Sequence, residues 1–211
     1  MSESIAPYYF YDTDEGVSPN KISVDIGGGT TDIIIAQNNT PAVLTSFRFA
    51  ANSLFSNKVK RNVFIRKFGP EIKSVLDSNR LNRLSLVYTE ISNRDRGEDV
   101  MNFFFSLIDN KELRDKKLVV DINKMMCENS EIKILFLIFY ASIIYHIAKI
   151  VKVKNFKEPR AITFSGTGSK MYVYSILDNY NEFRGIINTI FSMGGSCVGT
   201  FITTYALHRG K

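Results

Sequence analysis

Three consecutive glycines stand between two aspartates near the start of the chain. The segment reads VDIGGGTTDIII, with an apolar run on each side of the loop. A loop without Cβ atoms lets its backbone N–H groups approach an anion closely and form the kind of concavity that binds phosphate. Two hydroxyl donors follow the glycines directly. The sequence therefore predicts a phosphate-binding loop, which consists of Gly27, Gly28, Gly29, Thr30 and Thr31.

The two aspartates that bracket this loop are Asp25 and Asp32. Carboxylates on their own repel phosphate, so their presence is explained if a hydrated Mg²⁺ lies between them and the phosphate oxygens. This interpretation makes Asp25 and Asp32 the predicted metal-binding residues. The alternative is a plain hairpin turn, but such a turn requires at most one or two glycines and no flanking acids.

Two other phosphate motifs are excluded by inspection. A dinucleotide-binding fingerprint requires glycine at its sixth position and a helix after it, whereas the sixth residue counted from Gly27 is Asp32 and a strand pattern follows. A Walker loop requires Gly-Lys followed by Ser or Thr, whereas Lys170 lies between Ser169 and Met171. The loop at Gly27 is therefore not a dinucleotide-binding fingerprint, and the glycine segment before Lys170 is not a Walker loop.

The segments around the loop predict an α/β fold. Three short β-branched runs, KISVDI, DIIIAQ and AVLTSFRF, follow one another with short connections that include a turn at 38–41, so they predict a three-stranded antiparallel meander. Residues 50–129 have a mixed, charged and mainly helical pattern, and 129–131 offer a cap for an apolar helix that includes 134–148. A strand, RAITFS, a glycine turn and a helix follow. This order predicts a mixed sheet with an inserted, mainly helical subdomain.

The segment VDIGGGTTDIII resembles the second phosphate motif of the actin, heat-shock chaperone and sugar kinase superfamily, whose pattern is D-[LIF]-G-G-G-T-x-D between two strands. Within that superfamily, GGGTTD is most similar to the FtsA-type bacterial actin homologues. The resemblance implies an actin-like (ribonuclease H-like) ATPase domain that binds ATP or ADP with Mg²⁺. It also implies that the glycine loop holds the outer phosphates, while Asp25, as a catalytic residue, and Asp32 order the hydration shell of the metal.

A second segment, ITFSGTGSK, resembles the adenosine motif of the same superfamily, in which a strand ends in a glycine pair and a small polar turn leads into a helix. The resemblance implies that Gly166, Thr167 and Gly168 pass close to the adenosine end and the α-phosphate of the nucleotide. Ser169 and Lys170 would then lie near the base or ribose. Thr167 replaces the usual second glycine, and Lys170 stands where chaperones have arginine.

A third segment, ESIAP, resembles the stretch that precedes the second phosphate loop in the superfamily, where a glutamate polarises the attacking water. By this resemblance Glu3 is the candidate general base. A disordered N-terminal tail is the alternative interpretation.

The first phosphate loop of the superfamily, D-x-G-[ST]-x-x-[ST], is not found in this sequence. The resemblance therefore implies the second, C-terminal half of an actin-like ATPase, with 1–49 and 130–211 as its core and 50–129 as the inserted helical subdomain. ATPase activity is expected only in a complete protein that contains the first loop. The expected partners are the nucleotide, domain one of the same protein and further copies in self-assembly. Half of a sugar or acid kinase, or a degenerate actin-fold interaction module without catalysis, are the alternatives.

Composition and charge are compatible with this interpretation. Hydrophobic residues make up 45% of the 211 residues, which is enough to bury a core and excludes a globally disordered chain. The formal net charge is +6, and a basic cluster lies at Lys58, Lys60, Arg61, Arg66 and Lys67. A solvated helix face explains this cluster better than nucleic-acid binding does, since apolar residues interrupt it.

Cysteine usage and hydropathy bear on location. Cys127 and Cys197 lie far apart and have no CxxC neighbours, so they indicate buried thiols in a reducing compartment, and a cytoplasmic protein is expected. The most apolar stretch, 134–148, is shorter than the about 18 apolar residues that a membrane-spanning helix requires. It also contains Tyr140, Tyr145 and other polar residues, so a core helix is predicted and no transmembrane segment.

Overall fold

The computed structural model describes residues 19–108, 110–118, 120, 125, 128–157, 159, 161–166, 168, 185, 188–190, 193 and 202–205. The chain divides into two compact units. The first combines Met1–Ala51 with Phe136–Lys211, and the second is Asn52–Leu135. The sequence analysis placed the corresponding boundaries at 50 and 129.

The first unit contains a five-stranded mixed sheet. Its strands are β1 (Lys21–Ile26), β2 (Thr31–Gln37), β3 (Thr40–Phe47), β4 (Ala161–Ser165) and β5 (Ile202–Tyr205). Their order in the sheet is β3-β2-β1-β4-β5. β2 pairs antiparallel with β1 and β3, whereas β4 pairs parallel with β1 and β5 pairs parallel with β4. The α/β class predicted from the sequence is confirmed.

Burial explains why the central strands form. In β1 every residue except Asp25 is buried, as are residues 33–36 of β2. β2 therefore appears in the sequence as a continuous apolar run, as expected for a strand buried on both faces, whereas β1 buries two polar residues, Lys21 and Ser23. In β3, which lies at the sheet edge, exposed residues alternate with half-buried ones. Asn38 and Asn39 join β2 to β3 with φ values of 53° and 61°. A two-residue hairpin loop requires both residues in the left-handed region, which asparagine tolerates. The predicted turn is confirmed at 38–39, whereas residues 40 and 41 of the prediction already belong to β3.

The second unit is helical in its described residues. Its first helix, α1 (Ala51–Phe55), begins at the boundary between the units and is followed by a 3₁₀ turn, Val59–Arg61. The longer helices are α2 (Val63–Ser78), α3 (Asn82–Asn93) and α4 (Gly97–Leu107), and α5 (Lys111–Asp115) is short. Buried aromatic rings pack between these helices, among them Phe55, Phe64, Tyr88, Phe103 and Phe104.

Asn62 fixes the start of α2. Its side chain is 1% exposed, accepts hydrogen bonds from the amides of Phe64 and Ile65, and donates one to the carbonyl of Phe55 at 3.0 Å. A buried asparagine at a helix N-cap is stable because its polar atoms are paired in this way. The five residues of the basic cluster are all exposed, as predicted for a solvated face.

The long apolar helix, α6 (Ser130–Val153), begins where the sequence predicted. The side chain of Asn129 accepts a hydrogen bond from the amide of Ile132 at 3.2 Å, so the predicted cap is confirmed. One face of α6 is buried, with Phe136, Ile143, Ile144, Ile147 and Ala148 each 0% exposed. The opposite face leaves apolar side chains partly exposed, at Ile134, Leu137, Ile138 and Tyr145.

The length of α6 corrects one step of the sequence analysis. The helix has 24 residues and, by length and composition alone, is long and apolar enough to cross a membrane. The prediction that the apolar stretch is too short is therefore wrong, because the helix extends beyond 134–148 at both ends. Core helices of soluble proteins meet the same criterion, and the buried face of α6 has the packing of such a helix.

Candidate functional site

The glycine loop connects β1 to β2. It consists of the four residues between Ile26 and Thr31, and the Gly27 amide closes it by donating to the Thr30 carbonyl at 2.9 Å. The Gly27 carbonyl in turn accepts a hydrogen bond from the amide of Ala51 at 3.1 Å. Gly29 and Thr30 are exposed. No described residue accepts a hydrogen bond from the Gly28 or Gly29 amide, so these donors are available to a ligand.

Gly29 is a glycine that the fold itself does not require. Its φ lies outside the left-handed region, and a Cβ added to it would have no atom within 4 Å. Any small side chain could therefore occupy this position without strain or overlap in the isolated chain. A physical reason for glycine at this position that still applies is the close approach of a group from outside the chain.

Thr31, at the end of the glycine loop, is buried and bonds to the backbone. It is 0% exposed, and its hydroxyl donates to the Phe49 carbonyl at 2.7 Å. The sequence analysis predicted this hydroxyl as a donor to a ligand, and the geometry does not fit that role because the proton is directed to the backbone. The bond instead attaches the start of β2 to the segment that follows β3. Thr30, which is exposed, keeps its hydroxyl at the surface of the loop.

The two predicted metal-binding carboxylates face each other across neighbouring strands. Asp25 of β1 is paired directly with Asp32 of β2, and on its other side Asp25 is in register with Ser165 of β4. Residues directly opposite in a sheet project from the same face and lie about 5 Å apart at Cβ. The structure therefore brings Asp25, Asp32 and Ser165 together on three adjacent strands, near the ends of β1 and β4 and the start of β2.

The surroundings of Asp25 raise its pKa. Burial is the largest cause of the raised pKa, and the negative charge of Asp32 acts in the same direction, whereas the neighbouring Ser165 side chain opposes the shift. A cation between the two carboxylates would reverse the effect of their mutual repulsion. Among the described residues no group of three or more His, Cys, Asp or Glu side chains could hold a metal ion. Two carboxylates suit Mg²⁺, which keeps several waters and takes further ligands from phosphates.

The second glycine turn lies directly against the end of β1. Gly166 follows β4 with φ of +86°, and a Cβ there would overlap the Oδ1 atom of Asp25 and the carbonyl of Ile26. A Cβ on Gly168 would lie 2.5 Å from Cγ2 of Ile26. Both glycines are therefore required by packing within the chain. The two glycine motifs, far apart in sequence, meet at the carboxyl ends of parallel strands, which is where ligands bind in open α/β sheets.

Sequence reasoning missed two residues of this site. Ser165 immediately precedes the second glycine turn, and the parallel register of β1 and β4 would have identified it. Tyr140, whose hydroxyl donates to the Gly168 carbonyl at 3.1 Å, gave no signal, because a tyrosine in an apolar helix is ordinary core. The predicted site residues Glu3, Thr167, Ser169 and Lys170 lie outside the described residues.

Comparison with known proteins leaves the family undefined. Neither a protein-family model nor a curated protein sequence matches the chain. Among solved structures, the chain is similar to a PilM-PilN type IV pilus biogenesis complex, with a TM-score of 0.44, 8% identity and coverage of 96% of this chain and 40% of that chain. It is also similar to the ethanolamine utilization protein EutJ from Carboxydothermus hydrogenoformans, with a TM-score of 0.31, 16% identity and coverage of 87% and 45%.

At these TM-scores and identities, neither likeness defines the fold, which rests on the strand order of the chain itself. The chain spans less than half the length of either solved chain.

Proposed function

We propose that the chain is the nucleotide-binding half of an actin-like ATPase. Mg·ATP or Mg·ADP binds at the carboxyl ends of the parallel strands β1 and β4. The observation that carries the proposal is Gly29, an exposed glycine that neither φ nor packing requires, in a loop whose amides at 28 and 29 have no described acceptor. A polyphosphate that approaches the loop would explain both features. The motif resemblance and the paired Asp25 and Asp32 support the same ligand.

Each residue has a role in this proposal. The amides of Gly28 and Gly29 and the hydroxyl of Thr30 bind the outer phosphates, while Asp25 and Asp32 hold the hydrated Mg²⁺ that neutralises them. Such sites act by positioning and charge neutralisation. Hydrolysis then belongs to a complete protein that also supplies the first phosphate loop, with Glu3 as candidate base. The cytoplasm, as the compartment that supplies Mg·ATP, is the proposed location.

The test is isothermal titration of the 211-residue chain with Mg·ATP. Gly29→Ala is expected to lower the affinity at least about tenfold, equivalent to ~1.4 kcal/mol, because a methyl group would occupy the space of a phosphate oxygen. The melting temperature should not fall, since that methyl group has no neighbours in the free chain and alanine lowers the conformational entropy of the unfolded chain. Asp25→Ala should also lower the affinity.

Gly185→Ala is the matched control, because Gly185 is helical and a Cβ there likewise has no atom within 4 Å. Wild-type affinity in Gly29→Ala would contradict the proposed phosphate loop. Rapid ATP hydrolysis by this chain alone would contradict the assignment as a half-site.

The two alternatives give different results. Half of a sugar or acid kinase would transfer the phosphoryl group to a small acceptor in the complete protein, whereas an actin-like ATPase is expected to sediment as filaments with ATP. A degenerate interaction module would show no rise in melting temperature with any nucleotide.

A further inference from the structure

Tyr140 is a buried tyrosine of α6 whose hydroxyl serves the second glycine turn. The residue is 4% exposed, and its hydroxyl donates to the Gly168 carbonyl at 3.1 Å. Its ring packs edge-on against Phe164 of β4, with centroids 6.3 Å apart. A buried hydroxyl is costly unless it is paired, so this bond fixes the Gly168 carbonyl relative to the helix.

Gly166 and Gly168, the described glycines of the second glycine turn, pack against the end of β1 without a gap. Gly168 packs on the side chain of Ile26, while Gly166 lies so close to the Asp25 carboxylate that a methyl group would not fit between them. Ser165, which immediately precedes Gly166, is in register with Asp25 across the β1–β4 pair. Because close-packed atoms transmit displacements, a shift of this turn must shift Asp25 or Ile26.

Phe139, the residue before Tyr140 in α6, contacts a residue that stabilises the glycine loop between β1 and β2. Phe139 packs on Phe49 with ring centroids 5.0 Å apart, and the Phe49 carbonyl accepts the hydroxyl of Thr31. Consecutive residues of α6 thus contact the supports of both glycine loops. The helix therefore contacts both regions, in addition to the direct pairing of β1 with β4.

We propose that Tyr140 is a positioning residue, which fixes the Asp25 carboxylate through Gly168 and Gly166 without touching the ligand itself. The consequence for Mg·ATP binding rests on the proposed function, whereas the consequence for the geometry of Asp25 and Ile26 does not. The role is distinct from the one that the family resemblance implies for the glycines, since it is exerted on β1 rather than on the nucleotide.

The test compares Tyr140→Phe with Tyr145→Phe in the 211-residue chain. Both remove one hydroxyl from the same helix, but Tyr145 is 42% exposed and is not in the site. In the ligand-free protein, amide resonances of Ile26 and Gly27 should move in Tyr140→Phe and stay in place in Tyr145→Phe. The melting temperature of Tyr140→Phe should fall by about 2–4 °C, and the affinity for Mg·ATP by about threefold or more.

The resonance comparison separates positioning from a purely structural role. A lower melting temperature with the Ile26 and Gly27 resonances unmoved would overturn the proposal, as would equal displacements in both variants. Gly166→Ala should displace the same resonances further, but Tyr140→Phe decides because it introduces no backbone strain. If the wild-type chain binds no Mg·ATP, the proposed function fails while the resonance comparison still tests Tyr140.

Discussion

Burial and a neighbouring carboxylate act together on Asp25, and both raise its pKa. The charged form of this residue is therefore less favourable in the folded chain than in the unfolded one. Residues that bind a cation commonly carry such a cost in the absence of the cation, since like charges are held close together before the ligand neutralises them. Burial is the larger cause of the raised pKa, and the strand register adds to it by placing the Asp32 carboxylate opposite Asp25.

The sign of the pH dependence follows from the raised pKa of Asp25. As pH rises from the ordinary aspartate pKa through the raised value, the folded chain loses stability from this group, and the loss persists at neutral pH. The Asp25→Asn variant lacks this loss of stability, because asparagine does not ionise. In EDTA its melting temperature should therefore exceed that of the wild type at pH 7, and the difference should disappear in acid.

Thermal melts across this pH range measure the difference directly. If the melting temperatures of wild type and Asp25→Asn depend on pH in the same way, the assigned environment of the Asp25 carboxyl group is contradicted. Mg·ATP should raise the melting temperature of the wild type and leave that of Asp25→Asn unchanged.

At the scale of elements, the β1–β2 hairpin assigns different tasks to two adjacent threonines. Thr30 is exposed in the loop, whereas Thr31 is the first residue of β2 and is buried with its hydroxyl bonded to Phe49. In the sequence the two are equivalent donors after a glycine run. The strand pairing of Thr31 with Ile26 and Phe47 is what distinguishes them.

Valine substitutions separate these tasks, because valine keeps the shape of threonine. Thr31→Val should lower the melting temperature by about 2–4 °C, since it leaves the Phe49 carbonyl without its donor. Thr30→Val should leave the melting temperature unchanged and weaken Mg·ATP binding by about threefold to tenfold, the effect of one lost hydrogen bond. The reverse pattern would contradict the orientation of the hairpin.

Helix α6 has a buried face and an exposed face that both carry isoleucine. Ile143 is 0% exposed and Ile138 is 59% exposed. Ile143→Ala should lower the free energy of unfolding by ~2–5 kcal/mol, whereas Ile138→Ala should change it by less than about 0.5 kcal/mol. Urea unfolding of the two variants gives both values. Equal losses would show that the helix does not pack as this structure has it.

At the scale of the whole molecule, the described residues of the candidate site all belong to the first unit. The glycine loop, the second glycine turn and Tyr140 lie within Met1–Ala51 and Phe136–Lys211. The second unit, Asn52–Leu135, has its own aromatic core and its own buried polar anchor at Asn62. Ligand binding is accordingly expected to be a property of the first unit.

Hydrogen exchange with and without Mg·ATP tests this division. Peptides that contain Gly29 or Ser165 should exchange more slowly in the presence of Mg·ATP, because binding suppresses local opening around the ligand. Peptides from α2 should exchange at the same rate in both conditions. Protection confined to the second unit would place the nucleotide away from the glycine loop.

The sequence alone determined the local features of this protein. The α/β class, the Asn38–Asn39 turn and the Asn129 cap all follow from residue types at short spacing, because turns, caps and strand patterns depend on neighbours along the chain. The DIGGGTTD loop was recognisable for the same reason, since its glycines and acids are contiguous. Residues that act alone in sequence, such as Tyr140, gave no such pattern.

Only the tertiary structure decided which of these residues act together. Long-range strand pairing placed Ser165 beside Asp25, and close packing assigned Gly166 and Gly168 to the end of β1 while leaving Gly29 unexplained by the fold. The same packing turned Thr31 inward and gave Tyr140 its partner. Contacts between residues that are distant in sequence are set by the register of strands and the packing of helices, which no local pattern specifies.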